Sequence, residues 1–249
     1  MRIAIVIVLA AFIVAAIAVA MVKRSIVHKM SQSPKTTHVV LVGASIGQEW
    51  HLAEWPARVN TSGFSAESLA VWQFDKAEAV EEVLMRPARK VRPTRTYLRS
   101  LFQPPPPKAD LVILKECSSY FPGDLPQYRT SIEKWVNQLQ ANHNTVILAT
   151  VVPVTAARAQ QDPGKQEGLV QYNEWIREYA RQHGMHVLDL ESALRRNDTD
   201  NYLREDFATS DGSHLNAAAY TVLDKVLRDL LSIPTSTVAD QHLIRSVTP

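Results

Sequence analysis

The chain has 249 residues, 46% hydrophobic and 21% charged, enough for one α/β domain with an appendage and not for a disordered or fibrous protein. A formal net charge of +2 gives no global attraction for nucleic acid. The single cysteine, Cys117, excludes an internal disulfide framework and any cysteine-rich zinc site.

Ile3 to Val22 is one continuous apolar run, long enough to span a bilayer as a helix and without a polar face. It predicts an N-terminal transmembrane anchor or signal segment over residues 1–22. Ala18-Val19-Ala20 resembles a small-residue cleavage site, but no polar stretch precedes it, which favours an uncleaved anchor. Lys23, Arg24, Lys29 and Lys35 follow before the first acid, Glu49, and would hold the C-terminal side in the cytoplasm. Arg2 and the free amine on a very short tail argue the opposite way, so orientation stays open. Residues 23–36 form a basic linker, either a tether or a contact for anionic headgroups.

A domain is expected over residues 37–233. His38 to Val42 reads as a buried strand ending at Gly43, and Glu67 to Phe74 as a second strand. Asp75 is placed to cap a helix running to Met85. Residues 86–108 are irregular and proline-rich. Their basic side chains, Arg86, Arg89, Lys90, Arg92, Arg95, Arg99 and Lys108, suit an anionic polymer, a lipid headgroup or simply solvent. Further strands are expected over Asp110–Leu114, Thr145–Val152 and His186–Leu190. Helices are expected over Gln127–Asn142, Glu167–His183 and Asn216–Leu231, with a polar tail over 234–249. Short apolar strands alternating with helices imply a doubly wound parallel sheet sandwiched by helices.

In such sheets the working residues gather beyond the carboxyl ends of the strands. Ser45 follows the first strand, Cys117 the third, and Asp211 and His214 the fifth, all on that edge. A serine needs a base to lose its proton, and a histidine needs an acid to orient it and offset its developing charge. The plain alternatives are a capping serine, a loop acid, a surface histidine and an inert buried thiol. Glu116 is free to bond within the site or to pair with Lys115 or an arginine. The remaining histidines, His38, His51, His143, His183 and His186, lack metal-ligand spacing.

Gly43-Ala44-Ser45-Ile46, and Asp211-Gly212-Ser213-His214 running into Leu215-Asn216-Ala217-Ala218-Ala219-Tyr220, resemble the first and last blocks of the SGNH/GDSL hydrolases. The resemblance covers about residues 38 to 232. It implies the flavodoxin-like fold of that family, with Ser45 as nucleophile, His214 as general base and Asp211 as its orienter. It also implies an ester-bearing substrate, such as an acylated carbohydrate or lipid, and no cofactor. Ala44 stands where the family has an aspartate, and Cys117 or a neighbour where it has an oxyanion-hole asparagine. For the family's glycine block two segments compete, nominating Gly63 and Asp75 as oxyanion or substrate-lining residues. An acyltransferase with the same triad and a non-catalytic binding protein are the rival readings. The expected setting is a membrane, reached through the N-terminal helix, with the domain on the extracytoplasmic side. Oligomeric state is left open.

Overall fold

The computed structural model describes residues 36–86, 106–197 and 199–232. The expected anchor, most of the basic linker, most of the basic proline-rich stretch and the C-terminal tail lie outside the described residues. No helix among the described residues is long and apolar enough to cross a membrane.

Strand β1 (Thr37–Gly43) leads within one residue into the short helix α1 (Ser45–Glu49), followed by a 3-10 turn at Leu52–Glu54 and α2 (Trp55–Arg58). Next come β2 (Phe64–Ala70), α3 (Ala77–Met85), β3 (Leu111–Lys115), α4 (Leu125–Ala141) and β4 (Thr145–Ala149). Helices α5 (Ala156–Gln161) and α6 (Pro163–Gln182), strand β5 (His186–Leu188), α7 (Leu190–Leu194) and α8 (Ala217–Leu231) complete the order. The five strands are parallel and stand in the order β2-β1-β3-β4-β5. The chain therefore reverses direction across the sheet between β1 and β3, and the loops leaving those two strands flank the crevice where such sheets bind ligands.

Both faces are apolar because alternate residues of each central strand are buried against helices. Val40, Val42, Val112, Leu114, Val146 and Leu148 pack with Val80, Val83, Ile132, Trp135, Val136 and Ile176 of α3, α4 and α6. Val39, Leu41, Ile113, Ile147 and Leu188 pack on the other side with Ile46, Trp50, Trp55, Leu194, Leu223 and Leu227.

The second strand differs from expectation. It begins at Phe64 rather than Glu67 and ends at Ala70. As the edge strand it carries half-buried polar side chains, and these hid its start. Ser65 and Glu67 lie 2.8 and 3.0 Å from the His38 ring nitrogens, and the Ser68 hydroxyl donates to Gly47 O at 2.7 Å. Trp72 and Phe74, read as strand residues, lie beyond it, with Phe74 stacked on Tyr128 at 3.9 Å between centroids. The fourth strand stops at Ala149, since the Val151 N–H and C=O pair with the Asn173 carboxamide at 2.7 and 2.9 Å. The fifth stops at Leu188, because Asp189 caps α7 by accepting from the Ser192 N–H at 3.1 Å.

Candidate active site

Ser45 opens α1 immediately past the carboxyl end of β1. The approach of α1 to β1 requires a residue without a side chain one half-turn on, since a Cβ at Gly47 would sit 2.5 Å from Leu41 Cδ2. The serine is thereby presented at the crevice rather than folded into the core.

The other half of the site is a short loop closed on itself before α8. The Thr209 N–H donates to His214 O at 2.9 Å, and Asn216 caps α8 by accepting from the Ala218 and Ala219 N–H groups at 3.0 and 3.2 Å. Within the loop, Asp211 Oδ1 accepts from the Ser213 and His214 N–H groups at 2.8 and 2.9 Å and from the Thr209 hydroxyl at 2.9 Å. Its Oδ2 lies 2.5 Å from His214 Nδ1. Burial works to raise the Asp211 carboxyl, but the bonds from the His214 backbone and ring, Ser213 and Thr209 outweigh it and hold the group well below the usual carboxylate range. An ionised Asp211 only accepts, so Nδ1 carries the imidazole proton and Nε2 is left as an acceptor. Ser45 Oγ lies 3.1 Å from that Nε2. Residues 169 positions apart in sequence thus complete a hydroxyl–imidazole–carboxylate relay with hydrogen-bond contact at each step.

The loop reaches this position by docking on the start of α5. The Thr155 N–H donates to Gly212 O at 2.9 Å, and Gly212 has φ +69°, a left-handed backbone that disfavours any other residue. A Cβ there would also lie 2.5 Å from Thr155 Oγ1 and 3.0 Å from Arg158 Cβ.

Ser45, Asp211 and His214 border a cavity of about 680 Å³. Its walls come from the segments after β2 (Trp72) and β3 (Cys117 to Tyr120) and from the helices after β4, α5 (Arg158 and Gln161) and α6 (Lys165). Cys117 sits in this lining, its Sγ 3.1 Å from Ser119 Oγ. The other two nominated lining residues are not brought to the site. Gly63 precedes β2 and its carbonyl accepts from the Thr37 N–H at 2.7 Å, at the sheet edge opposite Ser45. Gly63 therefore stands at the amino end of β2, whereas Ser45 lies at the carboxyl end of the sheet. Asp75 is exposed, accepts from the Ala77 N–H at 2.9 Å and borders a separate depression with Leu69 and Gln73. The chain crosses the carboxyl edge at Trp72 instead, two residues after β2 ends.

Sequence reasoning also missed a charged cluster behind the cavity wall. Glu116 pairs with neither Lys115 nor an arginine. Its Oε2 lies 2.5 Å from Lys76 Nζ, with both side chains fully buried. Burial pushes the Glu116 carboxyl up to about 7, against the pull of the Lys76 ammonium. Lys115, also buried, donates to Glu116 O at 2.8 Å, and burial lowers its ammonium to about 8. Arg158 and Lys165 were likewise unanticipated as lining residues. The one available signal was that both follow β4 on the carboxyl edge. Among the described residues no cluster of His, Cys, Asp and Glu could hold a metal ion.

The family model described as GDSL-like lipase/acylhydrolase matches residues 91–222. That interval contains Cys117, Arg158, Asp211 and His214 but not Ser45, whose block departs from the family at Ala44. No curated protein sequence matches. Solved structures share the fold at low identity. A GDSL-like lipase from Bacteroides thetaiotaomicron is 15% identical with a TM-score of 0.55, covering 83% of this chain and 95% of its own. A lipolytic protein of the G-D-S-L family from Veillonella parvula is 13% identical with a TM-score of 0.58, covering 80% and 100%. The lipase/acylhydrolase from Enterococcus faecalis is 16% identical with a TM-score of 0.53, covering 78% and 95%.

Proposed function

The chain belongs to the GDSL-like lipase/acylhydrolase family and is an ester hydrolase, and we propose that it works as a serine esterase through Ser45, His214 and Asp211. Ser45 Oγ attacks the ester carbonyl while His214 Nε2 takes its proton. Asp211 stays ionised throughout and offsets the imidazolium charge. The tetrahedral oxyanion draws on the Ser45 backbone N–H, which has no acceptor within the first turn of α1. His214 then returns the proton to the departing alkoxide, leaving an acyl-serine. Water, deprotonated by the same imidazole, releases the acid and restores the serine.

One observation carries this reading: the 3.1 Å contact from Ser45 Oγ to a His214 ring whose other nitrogen is held by Asp211 at 2.5 Å. The test is hydrolysis of a short-chain nitrophenyl ester by the full-length protein in detergent. Ser45→Ala and His214→Ala should each lower kcat by about 10³-fold or more, the scale for losing a member of such a triad. A fluorophosphonate probe should label the wild type and not Ser45→Ala. Equal rates in all three proteins would overturn the assignment.

The setting is also a proposal. The apolar run over residues 1–22 supports a single-pass anchor, and an anchored esterase is suited to surface material, which favours an extracytoplasmic domain. Protease added to intact cells should then digest the domain, and protection by an intact membrane would place it inside.

A further inference from the structure

Along the carboxyl edge of the sheet the connections follow the strand order: Trp72 after β2, Ser45 after β1, Cys117 after β3, and Arg158 on α5 with Lys165 on α6 after β4. Neighbouring strands lie about 4.8 Å apart, so β2 and β4 are separated by roughly 14 Å with β1, the strand that leads to Ser45, between them. The cavity consequently has an aromatic side and a cationic side flanking the candidate nucleophile.

The cationic side is built rather than incidental. Most other described arginines pair with carboxylates, among them Arg58 with Asp224, Arg177 with Asp189 and Glu191, Arg196 with Asp200 and Arg204 with Asp206, while Arg129 lies over the Trp175 ring. Arg158 lines the cavity with no carboxylate partner among the described residues. Its Nη1 donates to the Gln161 side-chain oxygen at 2.5 Å, leaving most of its five N–H donors uncommitted. Its backbone is anchored in the first turn of α5, where the Arg158 N–H donates to Thr155 Oγ1 at 3.3 Å. The close packing of Gly212 on Thr155 and Arg158 joins that turn to the Asp211–His214 loop. Lys165 adds a second positive charge, shared with Asp162 at 3.1 Å. The one carboxylate in the lining, Asp211, is committed to His214.

On the opposite side, Trp72 is 66% exposed, whereas Trp50 and Trp55 are 1% and 0% exposed. An indole left in solvent at the rim of a polar cavity offers a flat face to the C–H surface of a sugar ring. A neutral ester would use neither the uncommitted guanidinium nor its alignment with the triad loop.

We propose that the site selects acylated anionic carbohydrates, with the sugar ring against Trp72 and a carboxylate or phosphate held by Arg158 and assisted by Lys165. This deepens the esterase reading and rests on it for the position of the scissile bond. A planar guanidinium receives either anion through paired charge-assisted hydrogen bonds.

The test uses the full-length Ser45→Ala protein in uncharged detergent, so that binding is read without turnover. Calorimetry would compare acetylated glucuronic acid, acetylated glucose 6-phosphate and acetylated glucose. Both charged sugars should bind at least about tenfold more tightly than the neutral one, a margin that shrinks with added salt. Adding Arg158→Gln should abolish the margin, Arg158→Lys should retain part of it, and Trp72→Ala should weaken all three ligands alike. Equal binding of charged and neutral sugars, no measurable binding of the charged ones, or a margin that survives Arg158→Gln would overturn the proposal. An acylated glycerophosphate that binds as tightly as the sugars, with no effect of Trp72→Ala, would overturn the carbohydrate assignment. Failure of the esterase reading shows separately, as nitrophenyl ester hydrolysis that ignores Ser45.

Discussion

Asp224, in the middle of α8, accepts the indole N–H of Trp50 at 2.7 Å across 174 residues of sequence. Arg58 forks onto the same carboxylate from Nε at 2.7 Å and Nη2 at 2.9 Å, and the Trp55 indole donates to the Asp224 carbonyl at 3.1 Å. The helix that begins just after His214 is therefore fastened to the segment that continues from Ser45. The segments that carry the hydroxyl and the imidazole thus both run on into this junction.

Asp224→Ala would leave the buried Trp50 donor unpaired and free the Arg58 guanidinium, which solvent already reaches in part. Orphaning a buried donor typically costs about 1–3 kcal/mol. Denaturant unfolding should show a loss of that order, with ester hydrolysis falling alongside it. A variant as stable as the wild type would mean that the junction contributes nothing.

Gly212→Ala tests the seat of the Asp211–His214 loop. The left-handed backbone alone costs an ordinary residue about 1–2 kcal/mol, and the new methyl would press on Thr155 Oγ1. The expected result is a kcat reduced by at least about tenfold with a smaller change in KM, since the loop carries Asp211 and His214. Unchanged kcat would show that the docking on α5 is dispensable.

Cys117 is the sole thiol, so it can be modified without ambiguity. It lines the cavity that holds Ser45. A bulky maleimide adduct should block both nitrophenyl ester hydrolysis and fluorophosphonate labelling, and Cys117→Ala should be immune to the reagent. Full activity after stoichiometric modification would remove the thiol from the substrate's path.

Lys115 makes a pH-dependent contribution to stability. Burial lowers its ammonium from 10.5 to about 8; repulsion by Lys76 acts in the same direction, and attraction by Cys117 and Glu116 opposes it. Between those pH values the folded chain holds fewer protons than the unfolded chain, so stability rises with pH through that window. Below pH 8 both states are protonated and the full penalty of burying the charge remains. Lys115→Met should therefore be the more stable protein at pH 7, with the advantage shrinking toward pH 10.5 by about 1.4 kcal/mol per unit of displacement. Denaturant midpoints at pH 7 and 10 measure it. Parallel pH profiles for the two proteins would show that Lys115 does not titrate differently on folding.

Much of the fold was legible because the central strands are apolar on both faces. Val39 to Val42, Leu111 to Leu114 and Val146 to Ala149 could be read as buried strands without knowledge of their neighbours. Strand β2 was misjudged because an edge strand satisfies its polar side chains locally, with Ser65 and Glu67 at His38 and Ser68 at Gly47. Gly63 precedes the strand under either start, and reading the strand on to Phe74 instead of ending it at Ala70 concealed Trp72 as a residue of the loop beyond.

The sequence alone determined what one-dimensional patterning can encode. Alternating buried strands and helices imply a parallel sheet, and that in turn places Ser45, Cys117, Asp211 and His214 on a single edge. Contacts between distant segments were decided only by tertiary structure. Lys76 meets Glu116 across 40 residues, Asp224 meets Trp50 across 174, and Arg158 reaches the cavity without a carboxylate among the described residues. Periodicity reports which face of an element is buried. It says nothing of which charged side chain from another element will meet a group there, because that pairing is set by chain closure and the geometry of packing.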